Sequence, residues 1–186
     1  MRADARRNRQ QLVDAARHAF EERGVDCSLD DIARRAGVGS GTLYRHFPTR
    51  DHLVLALMEE GLAELEREAG RLAEELPPSE ALVAWLHAYV EHAARFRGLA
   101  ARLVTTDLEQ EPHVIDCRPV HEAGQELVLA AVAAGALAAP ADPQDVLDLA
   151  AAVAWVLEQG ERGGDHADRL LDLILGGLVG SSRSGS

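Results

Sequence analysis

Apolar residues recur along most of this chain at the three- and four-residue spacing of helices, and nowhere with the alternation of strands. Leu12, Ala15, Ala16, Ala19 and Phe20 mark a first helix from about Asp4 to Arg23, closed by Gly24 as a left-handed cap. Ser28-Leu29-Asp30-Asp31 reads as a capping box with Ser28 as N-cap. It opens a short second helix with the inner stripe Leu29, Ile32, Ala33 and Ala36, which ends at Gly37. A third short helix runs from about Ser40 to His46, and Pro48 closes it because the residue before a proline avoids the α region. Thr49 caps a long fourth helix that continues to about Glu75.

Pro77-Pro78-Ser79 breaks the pattern, and Ser79 is placed to cap a fifth helix to about Phe96. Gly98 is expected to interrupt it, with a shorter helix to about Leu108 and a loop over Glu109–Pro119. Val120–Leu137 is helical, and Asp142 as N-cap with Pro143 at the first position opens a helix to about Gln159. After a Gly160–Gly164 loop, Asp165 caps a last helix to about Val179. The expectation is an all-α protein of about nine helices. Residues 1–50 form a three-helix head with a helix-turn-helix, residues 51–180 a helical body, and Ser181–Ser186 a disordered tail.

Composition supports the helical reading: apolar residues make up 47 % of the chain, aromatics 4 %, and Ala and Leu, both strong helix formers, dominate. The net charge of −12 argues at first against nucleic acid. Its distribution reverses that: up to His52 ten Arg face eight acidic residues, and beyond it nine Arg face 23. A mildly basic end on an acidic body suits a DNA-reading head. All 19 basic residues are Arg, which codon bias explains and which leaves phosphate and guanine contacts possible. Cys27 and Cys117 show no metal or redox spacing, so no disulfide framework is expected. The start alternates charge with Ala instead of running apolar, and no apolar run reaches the ~18 residues of a membrane span. A cytoplasmic protein with no membrane partner is the expectation.

Function enters at the turn Ala36-Gly37-Val38. A tight glycine turn sets two short helices at a steep angle, and Ala33 is small enough for their crossing. Ile32, Val38 and Leu43 fill the wedge between them. The next helix is thereby pushed outward, where its first residues can enter a major groove. The run Ser28-Leu29-Asp30-Asp31-Ile32-Ala33-Arg34-Arg35-Ala36-Gly37-Val38-Gly39-Ser40-Gly41-Thr42-Leu43-Tyr44-Arg45-His46-Phe47 resembles the DNA-binding signature of the TetR family of regulators. It departs from the pattern at Ser28, where Thr is usual, and at Gly39, where a capping Ser or Thr is frequent, so the cap weakens or moves to Ser40. It departs again at Arg50, where the family has Lys. The resemblance covers the N-terminal third and implies a dimeric regulator, most often a repressor. Such a protein binds a palindromic double-stranded DNA operator and is released by a small-molecule effector.

By that resemblance Thr42, Tyr44 and His46 map to phosphate contacts and Arg50 to a clamp on the DNA backbone. Ser40, Gly41 and Arg45 sit where base edges or the nearby backbone are approached. The chemistry is reasonable, since hydroxyls hydrogen-bond phosphate and the Arg45 fork matches guanine. Structural alternatives stand beside it: Tyr44 packing on the first helix, His46 as a cap, Thr42 as a helix-start group. Leu43 and Phe47 read as core. Arg6, Arg7 and Arg9 are either an arm toward DNA or a solvated tail.

In the body, scarce large side chains suggest an effector pocket from Met58, Leu62, Trp85, Tyr89, Phe96, Leu103 and Val128, with plain core as the alternative for each. Small residues around Ala150–Trp155 and Gly176-Gly177 suggest a helix-pair dimer interface with Val153, Trp155, Leu171, Ile174 and Leu178. An intramolecular core is the alternative there. His87, His92, His113 and His121 lack ligand spacing, so no metal and no cofactor are expected. No nucleophile elbow, phosphate loop or paired-carboxylate motif supports catalysis, and no catalytic residue is assigned.

Overall fold

The computed structural model describes residues 2–24, 26–105, 115–137, 141–158 and 164–178. Eight helices make up this part: α1 (Arg2–Arg23), α2 (Leu29–Arg35), α3 (Ser40–His46), α4 (Arg50–Glu75), α5 (Pro78–Thr105), α6 (Arg118–Ala133), α7 (Pro143–Glu158) and α8 (Gly164–Leu178). No strand occurs among the described residues. The chain divides into two compact units, Met1–Glu60 with Arg102–Ile115, and Gly61–Ala101 with Asp116–Ser186. The division falls inside α4, where no break in the apolar pattern marks it.

In the first unit α1, α2 and α3 pack on one another. Leu12, Val13, Ala16 and Ala19 of α1 are buried with Ile32 and Ala33 of α2, Leu43 of α3, and Leu53 and Leu57 of α4. Burying each large aliphatic side chain is worth about 1.5–3 kcal/mol relative to leaving it in water. The turn after α2 is a Schellman motif. Val38 N–H donates to the Ala33 carbonyl at 3.0 Å and Gly37 N–H to that of Arg34 at 3.2 Å. Gly37 has φ +70° there, as the tight-turn reading requires. A Cβ at this position would meet nothing within 4 Å, so Gly37→Ala would add backbone strain alone. A loss of about 1–2 kcal/mol in urea unfolding is the expected result. An unchanged midpoint would show that the turn tolerates another conformation.

The capping box is not formed. Ser28 stands at the N-cap of α2 in extended conformation, but its hydroxyl makes no bond to the helix. Asp31 instead pairs with Arg34 and Arg23, at 2.6 and 3.2 Å. At α3 the N-cap is Gly39, whose carbonyl accepts from Thr42 and Leu43 N–H, so the cap does not move to Ser40.

The second unit is built on one apolar cluster from α4 through α8, with Leu65, Leu82, Trp85, Leu86, Val128, Leu147 and Leu171 among its members. Ser79 and Asp165 lie inside α5 and α8 and do not cap them, and two helix ends shift as well. The helix expected to stop near Phe96 continues through Gly98 to Thr105, which merges two expected helices into α5. A single glycine costs a helix only about 1 kcal/mol, which neighbouring helix formers absorb. The helix expected to reach Leu137 stops at Ala133. Gly135 takes φ +71°, with Ala136 N–H on the Ala131 carbonyl and Gly135 N–H on that of Val132, a second Schellman stop. Asp142 caps α7 as expected, its Oδ1 accepting from Gln144 N–H at 2.8 Å. The tail 181–186 lies outside the described residues.

Candidate nucleic-acid interface

Helix α3 has two unlike sides. Leu43 and Phe47 point into the first unit and are 0 % and 2 % exposed, so both are core, as expected. On the other side Ser40, Gly41, Tyr44 and Arg45 are exposed, while Thr42 and His46 are half-buried. Tyr44 is 46 % exposed, a large value for an aromatic. Among the described residues no hydrogen bond or ion pair engages the side chains of Ser40, Thr42, Tyr44 or Arg45. Two hydroxyls, a phenol and a guanidinium thus lie on the parts of α3 turned away from the core, with their bonding capacity unspent on the protein.

The surrounding charges are largely neutralised. Arg35 pairs with Glu22 at 2.5 Å, and that hydrogen bond holds the Glu22 carboxyl below its usual range. Arg17 bonds Glu60 at 2.9 Å, and Gln10 donates to the other Glu60 oxygen, which ties α1 to α4. The first residues are not an extended arm, since α1 is helical from Arg2 and Ala and Arg favour that state. Arg9 is turned back onto the unit, 5.4 Å over the Phe47 ring and 4.0 Å from Glu59. Arg50, the first residue of α4, donates from Nη1 to the Cys27 carbonyl at 2.7 Å.

In the second unit Trp85 is wholly buried. Its Nε1–H donates to the Leu65 carbonyl at 2.9 Å, and its ring stacks on Tyr89 with centroids 5.3 Å apart. Val128 is likewise fully buried, whereas Leu62 and Tyr89 are partly buried against the cluster. Met58 is half-buried and belongs to the first unit. The side chains of Phe96, Leu103 and Leu178 lie outside the described ones. A cleft of about 410 Å³ opens between α4 and α5, with Leu65 and Ala88 among charged groups that include Arg67, Arg71, Glu68 and Glu91. Of the expected dimer residues, Val153 and Leu171 are 4 % and 1 % exposed and belong to this unit's own core, and Ile174 is half-buried. The outward apolar groups of α7 and α8 are Leu149, Trp155, Val156 and Leu173. No cluster of three metal-ligating side chains occurs among the described residues. His113 lies outside them.

Residues 12–57 match the profile of bacterial regulatory proteins of the tetR family, and residues 77–179 that of the C-terminal domain of SbtR-like transcriptional regulators. The chain belongs to the TetR family of transcriptional regulators. A TetR transcriptional regulator from Streptomyces coelicolor is 37 % identical, with 91 % of this chain and 97 % of that one covered and a TM-score of 0.74. A TetR regulatory protein from Mycobacterium vanbaalenii is 31 % identical over 95 % of this chain and 98 % of that one, with a TM-score of 0.69. An HTH-type transcriptional regulator from Staphylococcus aureus is 41 % identical over 63 residues, 33 % of this chain. The chain spans about a third of the length of such curated relatives, 34 % in that case.

Membership makes the chain a DNA-binding regulator and not an enzyme. The outward side of α3 was legible from the motif. The Arg50–Cys27, Arg9–Phe47 and Arg17–Glu60 contacts were not, because each joins residues 23 or more apart in sequence with no pattern to link them.

Proposed function

We propose that this TetR-family chain is a cytoplasmic repressor that binds a palindromic operator as a dimer and is released by a small-molecule effector. One observation carries the DNA part: the unspent polar side chains of Ser40, Thr42, Tyr44 and Arg45 on α3, beside buried Leu43 and Phe47. Thr42, Tyr44 and His46 would bond phosphate, which positions the protein, while Arg45 would fork onto a guanine and read sequence. Gly41, with open space around its Cα, lets backbone approach backbone.

One recognition helix reads too few base pairs for specificity, so two heads on a two-fold axis are needed. The outward apolar groups of α7 and α8, above all Trp155 and Leu173, supply the surface for pairing. Val153, Leu171 and Ile174 support it from behind, and Leu178 extends the same helix. The effector is assigned to the second unit, against Leu62 and Tyr89 beside Trp85 and Val128. A ligand bound there lowers DNA affinity only by favouring one of two conformations. No helix among the described residues is long and apolar enough to cross a membrane.

The test is duplex DNA selected from a random pool, with affinity followed against salt. Specific binding that weakens steeply with salt is expected. Arg45→Ala should then cost about 1–3 kcal/mol on the selected duplex and relax preference at one base pair. Binding indifferent to salt and sequence would overturn the DNA reading. A uniform loss on every duplex would remove Arg45 from base reading.

A further inference from the structure

A cation at the first residue of a helix meets the positive end of the helix dipole, so Arg50 is badly placed for α4 itself. Its guanidinium is instead directed across to α2. Nη1 donates to the Cys27 carbonyl at 2.7 Å from a half-buried position, a charge-assisted bond of the stronger kind. Cys27 is buried and immediately precedes Ser28, the N-cap whose hydroxyl leaves α2 uncapped. The entry to α2 is therefore gripped from α4. The two ion pairs that tie α2 to α1, Arg35–Glu22 and Arg23–Asp31, each have a partner about half exposed and hold it weakly. From α2 the Schellman turn at Gly37 leads directly into Gly39 and α3. The direction in which Ser40, Tyr44 and Arg45 face thus depends on how α2 is held.

We infer that Arg50 is a positioning residue for the recognition helix, acting through the Cys27 carbonyl, and that its charge is not spent on a DNA phosphate. The inference rests on the reading of α3 as the DNA-contacting helix, and it reassigns a residue that the motif alone would make a clamp on the DNA backbone.

The two roles leave different signatures. Removing a phosphate contact lowers the slope of log affinity against log salt by about 0.9 and weakens all duplexes alike. Removing a strut leaves the slope and erodes discrimination between bases. The full-length Arg50→Met variant keeps the apolar stem and loses both donor and charge. It is measured on the selected duplex, and on the same duplex with one base pair changed, across a salt series. The expected result is a tenfold or greater loss on the selected duplex, a reduced preference over the altered one, and an unchanged slope. In the DNA-free protein, amide exchange at Ile32 and Ala33 should quicken. A slope lower by about one with preference intact overturns the proposal, and so does unchanged exchange in α2. Should Arg50→Met unfold the head, Arg50→Lys is read instead. It keeps the charge on a shorter stem without the guanidinium fork, so full retention of base preference then overturns the proposal. Failure of wild-type protein to distinguish duplexes sinks the DNA reading and, with it, this assignment. Specific wild-type binding with an unaffected variant sinks only the assignment.

Discussion

Trp85→Ala is expected to destabilise the second unit by about 3–5 kcal/mol, the range for truncating a fully buried aromatic. The indole is wholly buried, donates to the Leu65 carbonyl and stacks on Tyr89. On its far side a Cβ at Gly124 would lie 2.4 Å from Trp85 Cη2 and 3.0 Å from Leu147 Cδ2. Ring and glycine therefore fit as a pair, and Gly124→Ala should itself cost about 1–3 kcal/mol by overpacking. Combined with Trp85→Leu, the added methyl gains room, so the double variant should be more stable than the sum of its single losses. Urea unfolding followed by circular dichroism measures all of this. The chain has two tryptophans, so Trp155 still reports by fluorescence once Trp85 is gone. The result also weighs the effector assignment. A residue that mainly lines a ligand cavity would cost little stability and much ligand affinity. A loss under about 1 kcal/mol would move Trp85 from packing to ligand contact.

What could be read ahead of the structure follows from the range of the interactions involved. Helix α3 was legible at both ends, because Gly37 allows the tight turn before it and Pro48 stops the helix locally. The inward stripe Ile32, Ala33 and Leu43 was legible because helical spacing leaves those residues one place to go. Ser28 was misleading: its residue type permits a cap, but Asp31 found arginines in preference to completing the box. Gly135 was overlooked inside an alanine-rich stretch whose apolar pattern runs past it without a break. The faces of α7 were illegible for the same reason, because Ala150 to Ala154 is apolar all round. Nothing in that run says that Val153 turns inward and Trp155 outward. The Arg50 strut needs the fold itself, since its acceptor is a backbone carbonyl that any residue type would present.

The outward groups of α7 and α8 make the second large prediction, that charge on this face sharply weakens operator binding without unfolding the protein. Leu173 is 72 % exposed and Trp155 55 % exposed, so neither contributes much to the core of its own chain. Within a single chain Leu173→Asp with Trp155→Ser should shift unfolding by no more than about 0.5 kcal/mol per site, apart from the concentration-dependent stabilisation that pairing itself supplies. If the same face joins two chains, the charge is carried into a buried apolar contact and the dimer separates. Each head then binds its half-site alone, and the effective concentration supplied by its partner is lost. Affinity for the selected palindrome should fall on the order of 10²–10⁴-fold. The salt slope should fall to about half, because one head neutralises about half the phosphates. Sedimentation at the concentrations used for DNA binding reads the assembly directly. A variant that stays dimeric would place the interface elsewhere on the chain. A monomer that keeps full affinity and slope would mean that the two heads do not cooperate on DNA. Because unfolding is measured on the same samples, neither result can be mistaken for loss of the fold.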